Sequence, residues 1–154
     1  MTETPVAPRV AVKDVPPCDV VFVRERVAVR DIPRLFATVV EKAHGRGTGA
    51  PVAIYHDAIF DSEAVDVEVV VPVAADEAEE TLMPATVAAL THRGPYERIG
   101  ETYGQLAAWV AAHGMRQFGA IREVYLVGPG DVGDPAGYVT EVQMPVELHG
   151  LGEA

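Results

Sequence analysis

Apolar positions follow two periods along this chain. Some stretches alternate apolar and polar residues, as a strand with one covered face does; others repeat every three or four residues, as an amphipathic helix does. Val10–Val15 reads as a short entry strand, which Pro16 and Pro17 interrupt. Asp19–Val29 carries Val20, Val21, Phe22, Val23, Val27 and Val29 around Arg24, Glu25 and Arg26, and its β-branched content predicts a second strand. Asp31-Ile-Pro33 looks like a helix start: Asp31 can cap a first-turn amide, and Pro33 lacks an amide that turn would leave unpaired. Leu35, Phe36, Val39, Val40 and Ala43 then make one helical stripe, which ends in the glycine-rich run from His44 to Gly49. Strands are predicted at 51–57 and 65–73; in the latter, Val67, Val69 and Val71 point one way and Asp66, Glu68 and Val70 the other. Residues 74–80 read as an acidic, solvent-facing linker.

The second half repeats this order. Thr86–His92 predicts a strand that ends at Gly94-Pro95, where a residue before proline is driven out of the helical region. Ile99, Tyr103, Leu106, Ala107 and Val110 form a second helical stripe, with Trp109 at its edge and Gly114 as the stop. Strands follow at 121–127 and 138–146, separated by a loop rich in Gly, Pro and Asp. The last strand of each half matches in detail: Glu68 aligns with Glu141, and Pro72 with Pro145. The expected fold is α+β, with two βαββ units (about 10–73 and 83–146) in one pseudo-twofold antiparallel-sheet domain over residues 10–148. Residues 1–9, polar and proline-rich, are expected to form a flexible tail. Helices would cover one face of the sheet. The uncovered face would hold a ligand cleft lined by Glu68, Glu141 and Gln143, with Tyr125 as a further candidate.

Composition narrows the function classes. Asp+Glu number 23 against Lys+Arg 12, a formal net charge of -11, which disfavours a duplex-DNA surface and suits attraction of cationic small molecules. Cys18 is the single cysteine, so neither an intrachain disulfide nor a thiolate zinc site is expected. No secretory leader pattern opens the chain and no apolar run is long enough to cross a membrane, so a cytoplasmic protein is expected. His92, His113 and His149 lack metal-ligand spacing, and the glycines at 45, 47 and 49 lack the lysine of a phosphate loop; no metal or cofactor is expected.

His92-Arg-Gly-Pro-Tyr-Glu97, the helix ending Trp109-Val-Ala-Ala-His-Gly114, Arg122-Glu-Val-Tyr125 and Thr140–Val146 together resemble the GyrI-like small-molecule-binding domain, also the effector-binding domain of AraC- and MerR-type multidrug-responsive regulators. The likeness is strongest over residues 85–146. It implies two βαββ units around a central cleft that takes amphipathic, cationic or aromatic molecules, with a glutamate of the last strand and nearby aromatic residues in that cleft. On this chain those positions are Glu141 and Tyr125. The resemblance also admits a hydrolase that opens reactive cyclopropane rings of natural products, in which Glu141 and Tyr125 would be catalytic. A further implied role is a gyrase-inhibitor-like protein, with gyrase as a partner by analogy only. The segment before Val10 is too short for a helix-turn-helix, so direct nucleic-acid binding is not expected. A monomer or weak homodimer is.

Among individual side chains, Glu141 leads as the group that pairs with a cation or polarises a reacting bond. Tyr125 and Tyr55 can stack on an aromatic ligand or fill the core. Glu68 is the symmetric counterpart of Glu141, Gln143 its neighbour on the same face, and Trp109 a packing residue first and a cleft residue second. His56 beside Asp57 makes a poor couple, because adjacent strand residues point to opposite faces.

Overall fold

The computed structural model describes residues 9–148. Nine strands and two helices lie within them: β1 (Ala11–Val15), β2 (Cys18–Val27), α1 (Ile32–Ala43), β3 (Val52–Tyr55), β4 (Val65–Pro72), β5 (Glu80–Leu82), β6 (Ala85–Arg93), α2 (Ile99–Ala112), β7 (Met115–Gln117), β8 (Ile121–Val127) and β9 (Val139–Leu148). The class is α+β, built on a curled antiparallel sheet in the order β1-β6-β9-β8-β3-β4-β2-β5, with β7 paired to the far end of β9. The two halves meet where β3 pairs with β8, Val52 opposite Val124 and Tyr55 opposite Ile121. Outwards from that seam one side runs β8, β9, β6 and the other β3, β4, β2. This order is compatible with the expected two-unit organisation.

Strand alternation sets the layers. Val67, Val69 and Val71 face α1 and pack with Val21, Leu35 and Val39; Val70 points the other way and packs with Val20 and Ile54. In the second half Leu106 and Val110 of α2 meet Ala88, Leu90, Val142, Met144 and Val146. Each of these valines and leucines stabilises the fold by about 1.5–3 kcal/mol when fully buried. The helices do not cover the sheet evenly. Packing of α1 is on β2 and β4, and that of α2 on β6 and β9, so the central pair β3 and β8 lies under the gap between them.

Local signals behave as the residue types require, with three differences. Gly94 has φ 113°, a conformation open to glycine before Pro95, and His44 ends α1 at φ 50°. Buried His92 then ties the turn to α2: one ring nitrogen donates to the Pro95 carbonyl (2.9 Å), so the other accepts from the Thr102 hydroxyl (2.8 Å). Asp31 makes no capping hydrogen bond, because a 3-10 turn at Val29–Asp31 leads into α1 and leaves Asp31 in helical geometry. The other two differences are β5 and β7, each three residues long and too short to show a period.

Candidate functional site

The gap between the helices is a cavity of about 1160 Å³. Its walls are Ile32, Phe36 and Val40 of α1 and Ile99, Gly100 and Tyr103 of α2; its floor is Tyr55 of β3 with Ile121, Glu123 and Tyr125 of β8. Phe60 and the loop Gly128–Asp131 border it. Ile121, Glu123 and Tyr125 are spaced by two along one strand and so share a face. The apolar stripe of α1 is wider than its sheet contact: Leu35 and Val39 go into the core, while Phe36 and Val40 go to the cavity. Aromatic rings line it in contact. Tyr125 stands edge-on to Phe36 (5.2 Å between centroids) and to Tyr96 (5.8 Å), and Tyr96 stacks on Tyr138 (5.0 Å).

Glu123 is the polar centre of this floor. It is 6% exposed, and three hydroxyls converge on its carboxylate: Tyr125 donates to Oε1 at 2.5 Å, Tyr55 to the same oxygen at 3.4 Å, and Tyr103 to Oε2. Among the described residues no Lys, Arg or His forms an ion pair with it. Burial first, and the Glu123 charge second, push the phenols of Tyr55 and Tyr103 well above the ordinary tyrosine value; burial also dominates the rise at Tyr125. All three hydroxyls therefore keep their protons and act as donors across neutral pH. A carboxylate held by neutral donors in an apolar cavity, with no counter-charge among the described residues, can pair with a cation that enters it.

Of the candidates, Tyr55 and Tyr125 line this cavity, and the others do not reach it. This cavity opens on the helix-bearing side of the sheet and not on the uncovered face, because the helices sit over the sheet's two wings and leave its centre clear. Glu141, Gln143 and Glu68 occupy the uncovered face, as their alternation with Val142, Met144 and Val69 requires. There Glu141 pairs with Lys13 (2.7 Å) and accepts from Gln143 (2.7 Å). Trp109 packs against the second core and stacks on His113 at 3.8 Å. Tyr125 is on the opposite side of the sheet from Glu141, so the two do not form one site. Glu123 and Tyr103 were not among the expected site residues. Glu123 left a signal: it is a charged residue between Ile121 and Tyr125 on one strand face.

On the uncovered face, His56 turns away from Asp57 and meets Glu68 (2.9 Å), while Asp57 pairs with Arg26 (3.1 Å). Glu80, on the short edge strand β5, hydrogen-bonds Glu68; this contact, then burial, pushes the Glu80 pKa up to about 7. The sign of the linked stability follows. The folded chain holds the Glu80 proton more tightly than the unfolded chain, so stability is full below the ordinary value of 4.5 and falls as pH rises to about 7. Glu80→Gln keeps a donor to Glu68 without the charge. Urea unfolding from pH 4 to 8 should show a shallower decline for this variant, which should exceed the wild type at pH 8 by roughly 1 kcal/mol or less, given the partial exposure of the pair.

Among the described residues no helix is long and apolar enough to cross a membrane, and no group of three His, Cys, Asp or Glu side chains is placed to hold a metal. The family model described as the GyrI-like small molecule binding domain matches residues 8–147. No curated protein matches the chain. Among solved structures, the C-terminal domain of EcmrR is 24% identical with TM-score 0.80, over 93% of this chain and 99% of that one. EcmrR in its DNA complex gives TM-score 0.81 at 24% identity over 92% of this chain, which spans 58% of that protein. A hydrolase from Listeria innocua is 12% identical with TM-score 0.71, over 91% of this chain and 92% of that one. SAV2435, solved with tetraphenylphosphonium bound, is 14% identical with TM-score 0.58, over 94% and 96% of the two chains. These likenesses show a shared fold.

Proposed function

The chain belongs to the GyrI-like small-molecule-binding family, and from that premise we propose that it binds amphipathic aromatic cations in the cavity between α1 and α2, as a sensor or sequestering protein. The observation that carries this reading is Glu123, a buried carboxylate held by three tyrosine hydroxyls and, among the described residues, by no basic group, under an aromatic wall. Charge and shape act together there. The aromatic faces of Phe36, Tyr96 and Tyr125 contribute dispersion and cation–π attraction, and the carboxylate supplies the charge. The tetraphenylphosphonium complex of a fold relative supports the ligand class. Calorimetric titration with tetraphenylphosphonium and with the neutral triphenylphosphine oxide tests it. Binding of the cation at least about tenfold tighter than the neutral compound is expected; equal binding would remove the role of the charge.

The same cluster supports a second reading, hydrolysis of a reactive bound compound. Glu123 can orient a water, and a tyrosine that stays protonated can donate to a leaving group. The hydrolase name carried by one fold relative favours testing it. Product formed from a strained electrophilic ligand, lost in Glu123→Gln while a non-reactive cation still binds, would support turnover. Binding with no product over many hours would leave the binding role alone.

A further inference from the structure

A second cavity, of about 490 Å³, lies on the uncovered face of the sheet, away from the helices. Three cross-strand neighbours make its base. Ile54 of β3 is in register with Glu68 of β4 on one side and Arg122 of β8 on the other. The two charged residues are therefore held two strand spacings apart, about 10 Å between their Cα atoms, with an apolar side chain between them. They do not pair with each other. Arg122 donates to the Met83 carbonyl (3.3 Å) and has no carboxylate partner among the described residues, although the chain carries excess acid and nine of its other Lys and Arg side chains are paired. Glu68 is 5% exposed and is met by His56 and by Glu80 of β5, neither of which carries a full positive charge to it as Lys or Arg would. Leu82, Pro84, Phe118 and Ala120 close the sides, and Phe118 is 66% exposed.

An anion drawn to Arg122 would feel the Glu68 carboxylate, and a cation drawn to Glu68 would feel the guanidinium. A ligand carrying both charges meets both partners, and its apolar part meets Ile54, Leu82 and Phe118. From this we infer that the second cavity binds a small zwitterion of the α-amino-acid class with an apolar side chain, its carboxylate on Arg122 and its ammonium on Glu68. The partial burial that keeps Arg122 short of solvent makes a carboxylate partner worth more there than at the surface. This site is independent of the helix-side cavity, since Arg122 and Glu123 are adjacent in β8 and face opposite sides.

L-leucine is the probe, followed by amide chemical shifts of the folded protein. Saturable shifts at Gly119, Ala120 and Leu82 are expected. The same skeleton without the amine, 4-methylpentanoate, and without the carboxylate, 3-methylbutylamine, should each bind at least about tenfold more weakly. Arg122→Gln and Glu68→Gln should each lose a similar factor for leucine while tetraphenylphosphonium binding in the other cavity is kept, which also shows that the variants are folded. Absence of shifts at leucine concentrations that saturate ordinary weak sites, equal binding of all three compounds, or leucine affinity unchanged in both variants would overturn the assignment and leave Arg122 as a tie to the Met83 carbonyl.

Discussion

Glu123→Gln should weaken tetraphenylphosphonium binding by about thirtyfold, close to 2 kcal/mol, and leave triphenylphosphine oxide binding within about twofold of wild type. The substitution preserves shape and removes the charge. Tyr55 and Tyr125 donate to one carboxylate oxygen and Tyr103 to the other; in the amide the oxygen keeps one of these positions as acceptor and the nitrogen donates to the phenol oxygen at the other, so the aromatic wall keeps its place. The loss is large because the carboxylate is buried, and an ion pair in a low-dielectric site is screened far less than one at the surface. Calorimetry on the two ligands separates the charge from the shape: a variant that loses both ligands equally would indicate a collapsed pocket and not a missing charge. Glu141→Gln is the paired control. Its carboxylate lies on the other side of the sheet and already has Lys13 as a partner, so tetraphenylphosphonium affinity should not change.

Leu106→Ala should cost about 2–5 kcal/mol of folding stability. Leu106 is fully buried, at the contact of α2 with Leu90, Val142 and Met144, and a rigid β-sheet beneath a single helix has little freedom to close the space left behind. A domain of ordinary stability has only about 5–15 kcal/mol to lose, so the variant should unfold at markedly lower urea concentration with an unchanged slope. Because α2 also carries Tyr103 and Ile99 into the cavity wall, a saturating cation should recover part of the loss, by binding the folded state alone. Unfolding with and without tetraphenylphosphonium measures both effects. A loss below about 1 kcal/mol would mean that α2 is not anchored as described.

Much of this fold was legible because side-chain period is local. Alternation at Val67, Val69 and Val71, and helical spacing at Leu35 and Val39, are consequences of bond geometry that need no knowledge of the rest of the chain. The same rule placed Glu141 and Glu68 away from the helices. What alternation does not carry is the lateral order of strands. The position of the cavity depends on β3 and β8 being the central pair and on each helix packing over an outer pair, and those are long-range pairings. The face opposite the helices therefore looked like the place of the aromatic-lined cavity, which lies between the helices. Glu123 was readable in principle: a carboxylate at the middle of Ile121, Glu123 and Tyr125 breaks an apolar face, and buried acids without a counter-charge are rare enough to mark a site. Tyr103 was less readable. On a helical stripe beside Leu106 and Val110, a tyrosine satisfies the apolar pattern whether its ring fills core or lines a cavity.

The most direct test is a crystal structure of the protein with tetraphenylphosphonium bound. The account predicts the phosphonium between α1 and α2, its phenyl rings against Phe36, Tyr96 and Tyr125, and its positive centre facing the Glu123 carboxylate. A cation seated instead on the uncovered face, beside Glu141 or Glu68, with the helix-side cavity filled only by water, would contradict it.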